Sequence, residues 1–231
     1  MVQPTDDERV DIAGLSTRVI RPETGTRLVV VLLHGYGMRS DDLSPFAHSM
    51  RLGARFLVPD GPVAVPSTRA RAWWPIDEQK RSREVAVGPR DLYNERPPGA
   101  AAARAALSSF LDRVQSLYGP CPVALVGFSQ GGMLACDLVL RDQPAIAGLA
   151  LLSASRITGD DWAAFAERVR GLPIFVSHGR QDPDLSFAAG EALRDLLISG
   201  GAQVAWEAHD LGHQIPLVVW RRLRKFLAAF C

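Results

Sequence analysis

The chain has 231 residues and a net charge of +1, from 26 Lys and Arg against 25 Asp and Glu. That balance leaves no electrostatic footprint for nucleic acid or for an anionic membrane. A chain of this length buries a core large enough to need no disulfide or metal staple, and Cys121, Cys136 and Cys231 have neither paired nor metal-ligand spacing, which fits a reducing compartment.

Met1 to Glu8 is acidic where a secretion signal would be basic, and no apolar stretch follows it. The longest mostly apolar run, Ala145 to Leu152, is far shorter than the ~20 residues of a membrane helix. The expectations are a cytoplasmic protein, no stable membrane insertion and no nucleic-acid partner. Leu28 to Leu33 is a continuous β-branched and leucine run without alternation, the pattern of a strand buried on both faces. A helix is expected over Asp41 to Met50, with Ser40 or Asp41 at its N-cap. A second buried strand, Arg55 to Val58, ends at the turn cluster Pro59-Asp60-Gly61-Pro62. Residues 62–98 are rich in proline and arginine and lack periodicity, so a long ordered loop is expected, with Trp73 and Trp74 anchoring it.

Ala100 to Leu117 is helical, with Leu107, Phe110, Leu111, Val114 and Leu117 on one face and Gly119-Pro120 after it. Strands follow at Val123 to Val126, within Ile146 to Leu152, at Ile174 to Val176 and at Val204 to Trp206. Helices alternate with them from Gln130 to Arg141, from Asp160 or Asp161, from Phe187 to Ile198 and from about Ile215 to Phe230. On the last helix, Arg221, Arg222, Arg224 and Lys225 read as a solvated face opposite an apolar stripe. Such alternation implies crossover units and a mostly parallel sheet with helices on both faces, in a single domain over residues 1–231. Ligands in such sheets bind beyond the carboxyl ends of the strands, so chemistry is expected just after strands.

Gly127-Phe128-Ser129-Gln130-Gly131 stands at such a place, between a buried strand and a helix. It has the Gly-x-Ser-x-Gly pattern of a nucleophile elbow, a strained turn that exposes the serine oxygen. A serine hydroxyl is a weak nucleophile and needs a base oriented by an acid. With this elbow the acid and then the histidine follow in chain order. Asp182 and Asp184 both follow the strand at 174–176, and the residues alone leave the choice between them open. Of His209 and His213, the second is favoured, because Gly212 gives it a flexible approach beyond the strand end. His34, His48 and His178 read as structural. Acyl transfer also needs donors for the oxyanion. The backbone N–H of Gln130 follows the nucleophile, and Tyr36 in His34-Gly35-Tyr36-Gly37 supplies the second.

These segments, with Ala72-Trp73-Trp74, Ser129-Gln130-Gly131-Gly132, His178-Gly179, Asp182-Pro183 and Gly212-His213, resemble the phospholipase/carboxylesterase family of α/β-hydrolases from about residue 15 to 229. The resemblance implies an α/β-hydrolase fold, Ser129 as nucleophile, Asp182 as acid, His213 as base, and Tyr36 and Gln130 at the oxyanion positions. It implies a serine carboxylesterase acting on small-molecule esters of short to medium acyl chains, with Trp73 and Trp74 forming one wall of the acyl site. No metal or organic cofactor is implied, and a homodimer is one assembly left open. Acyl-protein thioesterase and lysophospholipase activities share the same machinery and stand as alternatives, as does a non-catalytic binding protein on a hydrolase scaffold. The chain departs from the family's usual pattern at Leu185-Ser186, at Arg69 and Arg71, and in the apolar stretch Gln214 to Trp220.

Overall fold

Every side chain of Leu28–Leu33 is buried, which demands cover on both faces of that strand. The computed structural model, which describes residues 8–22 and 25–231, supplies it. The elements are β1 (Glu8–Ile12), β2 (Leu15–Ile20), β3 (Leu28–Leu33), α1 (Ser40–Ser49), β4 (Ala54–Pro59), β5 (Val63–Ala64), β6 (Arg71–Ala72), α2 (Glu78–Val87), α3 (Ala100–Tyr118), β7 (Val123–Phe128), α4 (Gln130–Asp142), β8 (Gly148–Leu152), α5 (Gly159–Phe165), β9 (Pro173–Gly179), α6 (Phe187–Ser199), β10 (Gln203–His209) and α7 (Leu217–Ala228). The acidic start at residues 1–7, and with it the first part of the expected domain, lies outside the described residues.

One eight-stranded sheet has the order β1-β2-β4-β3-β7-β8-β9-β10. From β4 to β10 it is parallel, and the hairpin β1–β2 adds an antiparallel edge. Alternation along β3 divides the core. Val29, Val31 and Leu33 pack with α3, α4 and α6, whereas Leu28, Val30 and Leu32 pack with α1 and α7. Among the described residues, no helix is long and apolar enough to cross a membrane. Strand order reverses at β3, with β4 on one side and β7 on the other. A crevice at the carboxyl ends of β3 and β7 follows from that topology.

The structure corrects the sequence reading in two places and adds a hairpin that the reading did not include. Residues 62–98 are not all loop, because they contain the ribbon β5–β6 and the ten-residue helix α2. None of the residues of α2 is buried, so it lacks the apolar stripe that would announce it. Its support is an Asp77 N-cap accepting from the Lys80 N–H at 2.9 Å and ion pairs such as Arg81–Glu78. The edge hairpin β1–β2 turns on Ala13 and Gly14, both at positive φ, a turn without the Asn-Gly or Asp-Gly signal. Finally, α1 takes Arg39 rather than Ser40 or Asp41 as N-cap, with the Asp42 carboxylate accepting the Arg39 N–H at 2.7 Å.

Asp60, at the end of β4, fastens the hairpin edge to α1. Its buried carboxylate accepts from Arg9 Nη1 at 2.8 Å and from the Ser40 N–H at 2.7 Å. Burial opposes its charge, yet the Ser40 and Arg9 bonds outweigh burial and hold the carboxyl below the usual carboxylate range. A depressed folded-state value gives stability that is present above the unfolded value and lost as pH falls through the folded one. Asp60→Asn is therefore expected to lower unfolding free energy by about 2–3 kcal/mol at pH 7, and the gap to wild type should narrow progressively as pH falls below about 4. Urea unfolding at pH 7 and pH 3.5 checks this, and a gap of unchanged size at the lower pH rejects it.

Candidate active site

The elbow forms because glycines let α4 start directly against the sheet. A Cβ on Gly127 would lie 2.3 Å from the Gly131 carbonyl oxygen, and one on Gly131 would lie 2.6 Å from the carbonyl oxygens of Leu33 and His34. Ser129 therefore sits at φ 52° and ψ −117°, a strained conformation for a residue with a side chain. Its own N–H is tied to the Leu152 carbonyl at 2.8 Å. Phe128 and Gln130 are buried while Ser129 is half-exposed, so the turn presents the serine to the crevice. It does so at the N-terminus of α4, where the helix dipole favours negative charge.

Asp182 lies in the turn after β9 and is 3% exposed. Its Oδ1 accepts the N–H groups of Asp184 and Leu185, each at 2.9 Å, and its Oδ2 meets His213 Nδ1 at 2.6 Å. Burial works against its charge, but the His213 contact and these two N–H groups hold the carboxyl below the usual range. With Nδ1 so engaged, Nε2 is the ring nitrogen of His213 left for the cavity. The His213 ring packs against Phe128, centroids 5.0 Å apart, which brings it over the elbow.

Three other histidines, His34, His178 and His209, hold the turns around the site. His34 is buried; its Nδ1 contacts the Gly35 carbonyl at 2.7 Å and its Nε2 accepts the Gly61 N–H at 2.9 Å. Burial lowers its pKa, so it braces the turn after β3 in the neutral form. His178 is buried in β9 and its Nε2 meets the Leu185 carbonyl at 3.1 Å, which steadies the acid turn. His209 is buried at the end of β10 with Nδ1 accepting from the Leu211 N–H at 3.4 Å, and it does not reach the cavity.

A cavity of about 300 Å³ opens over the elbow and is lined by Gly35, Tyr36, Ser129, Gln130 and His213. Gly35 is confined, since a Cβ there would lie 3.0 Å from the Phe128 ring. The Gln130 N–H opens α4, where an N–H has no partner within the helix. The inner wall is apolar, with Trp74, Ile76, Leu92, Met133 and Ile157 among its residues. The roof is charged and comes from α2 and the segment beyond it, through Lys80, Arg81, Glu84 and Arg90.

The structure separates the two tryptophans. Trp74 lines the cavity, but Trp73 is 1% exposed, stacks on His34 at 5.3 Å and donates Nε1–H to the His34 carbonyl at 2.9 Å. Trp73 is packing beneath the turn after β3 rather than an acyl-site wall, because its ring covers His34. The Gln130 side chain has a task that sequence reasoning missed. Its Oε1 accepts the Trp73 N–H and its Nε2 donates to the Trp74 carbonyl, each at 2.9 Å. A glutamine directly after an elbow serine is a legible signal, since a buried amide must find partners. Among the described residues, no group of three or more His, Cys, Asp or Glu is arranged to hold a metal ion.

Known proteins share this architecture. An esterase called PE8, of known crystal structure, superposes with a TM-score of 0.79 at 24% identity, covering 94% of this chain and 99% of its own. Acyl-protein thioesterase 1 of Neurospora crassa is 24% identical over 213 residues, which is 86% of this chain and 84% of that protein. Esterase YpfH of Escherichia coli K12 is 34% identical over 129 residues, half of each chain. The sequence pattern of the phospholipase/carboxylesterase family matches residues 15–231. That span takes in the elbow, the acid turn and the histidine loop alike, and the chain belongs to the phospholipase/carboxylesterase family of α/β-hydrolases.

Proposed function

We propose that the protein hydrolyses carboxylic esters of short to medium acyl chains through an acyl-enzyme formed on Ser129. The observation that carries this reading is the 2.6 Å bond between Asp182 and His213 beside a strained serine that lines the same cavity. His213 Nε2 takes the proton of Ser129 Oγ as that oxygen attacks the ester carbonyl carbon. The carbonyl π pair moves to oxygen, and the N–H groups of Tyr36 and Gln130 stabilise the oxyanion. Collapse breaks the bond to the alkoxy group, which leaves as the alcohol with the proton from His213. Water then attacks the acyl-enzyme, with His213 as base again, and releases the acid and free Ser129. Asp182 orients the imidazole and stabilises its charged form throughout.

The modest cavity supports the limit on chain length, because about 300 Å³ is at the small end of ligand sites. A thioester is the second reading, favoured by the likeness to acyl-protein thioesterase 1 over most of both chains. p-Nitrophenyl esters from acetate to palmitate test the proposal. The optimum is expected between butyrate and octanoate, with palmitate roughly tenfold or more slower, as loss of about 1.4 kcal/mol of fit implies. A rising rate up to palmitate would sink the chain-length claim. A fluorophosphonate probe should label wild type at Ser129, and a folded protein that resists it would be a binding protein instead.

A further inference from the structure

Asp184 stands two residues beyond Asp182, and its partners tie three parts of the site together. Its Oδ1 accepts from Arg90 Nε at 3.1 Å and Nη2 at 2.5 Å, and its Oδ2 accepts from Arg81 Nη2 at 2.8 Å. Arg81 is on the roof helix α2, and Arg90 reaches the same helix through Glu84 at 3.6 Å. The backbones interlock as well. The Arg90 N–H donates to the Asp184 carbonyl and the Ser186 N–H donates to the Arg90 carbonyl, each at 2.9 Å. The peptide groups of this turn are the donors to Asp182 Oδ1, so their direction decides which way the Asp182 carboxylate faces.

We propose that Asp184 is a positioning residue, a carboxylate clamp that fixes the roof and the acid turn as one unit and thereby aims Asp182 at His213. It acts through others and exchanges no proton with the substrate. The clamp is built rather than incidental: Asp184 is 14% and Arg90 12% exposed at the side chain, and two Arg90 nitrogens on one carboxylate oxygen, with Arg81 on the other, form charge-assisted bonds largely shielded from solvent. Arg81 and Arg90 outweigh the effect of burial and hold the Asp184 carboxyl below its usual range, so it remains ionised at working pH. The inference rests on the esterase reading above and adds to it the group that keeps the acid aligned.

Asp184→Asn keeps the side-chain shape and removes the charge. Rates are referred to active sites titrated with a fluorophosphonate, so that a smaller folded fraction does not count as slower chemistry. Per-site kcat is expected to fall roughly tenfold to a hundredfold, the scale of a misplacement near 1 Å. The acid limb of the kcat/KM profile should also move to lower pH, because a misaimed Asp182 stabilises the imidazolium less. The titratable groups facing His213 are Asp182 and His178, and those facing the Asp184 carboxylate are Arg81 and Arg90. Asp184→Glu, which keeps the charge, should recover part of both effects. Wild-type values for per-site kcat and for the acid limb would overturn the proposal. If Asp184→Asn does not fold, Arg90→Lys is read in the same way, since it keeps the charge and loses the two-nitrogen grip. Ser129→Ala with turnover intact would bring down the esterase reading itself, a result distinct from any seen with Asp184.

Discussion

Ser129→Ala is expected to lower kcat on p-nitrophenyl esters by about four to six orders of magnitude, the scale seen when one member of a triad acting as a unit is removed. The substitution deletes only the oxygen. The cavity, the N–H groups proposed for the oxyanion and the Asp182–His213 pair remain, so some acceleration over water should persist. The melting temperature should stay near that of wild type, because alanine inherits the same backbone strain at φ 52° and ψ −117°. Ser129→Gly separates strain from chemistry. Glycine accepts this conformation, and relief of about 1–2 kcal/mol, partly offset by a looser unfolded chain, should raise the melting temperature by about 2–4 °C. Thermal unfolding and ester hydrolysis on the three proteins check both statements. Turnover retained in Ser129→Ala would refute the nucleophile, and a lower melting point in Ser129→Gly would refute the stored strain.

Gly127→Ala is expected to have the largest effect on stability. The added carbon would sit 2.3 Å from the Gly131 carbonyl oxygen and 2.5 Å from the Gly132 nitrogen, both backbone. No rotamer relieves that overlap, so α4 must move away from β7. The residues of α4 from Gln130 to Leu140 are all buried, which makes the shift costly. A loss on the order of 4 kcal/mol or more corresponds to a fall of about 8–16 °C in melting temperature for a domain of this size. Gly14→Ala provides the contrast. Gly14 has φ 82° and open space around its Cβ position, so only the conformational penalty of about 1 kcal/mol applies. Equal melting temperatures for the two variants would show that the close approach at the elbow is tolerated after all.

Much of the framework is legible from residue order because its causes are local. The run Leu28–Leu33 has no polar residue to place in water, so a strand covered on both faces is the outcome that suits it. Gly127, Ser129 and Gly131 encode the elbow for the same kind of reason, since the pattern leaves side chains off where α4 meets β7 and β3. Order along the chain also placed Asp182 after β9 and His213 after β10, at strand ends where this topology gathers chemistry.

What stayed hidden depends on contacts distant in sequence. α2 has no buried residue, and its Arg81 meets Asp184 across 103 positions of chain. The residues alone left the choice between Asp182 and Asp184 open, and only the family resemblance favoured Asp182. In the structure one carboxylate faces His213 and the other faces two arginines, and this separation gives the pair different chemistry. Trp73 and Trp74 are adjacent and alike, yet one covers His34 and the other lines the cavity. Periodicity and turn chemistry report how a segment meets its neighbours in the chain. Which carboxylate finds a histidine and which ring finds a cavity is set by partners brought together only when the sheet closes on its helices, and the tertiary structure alone decides it.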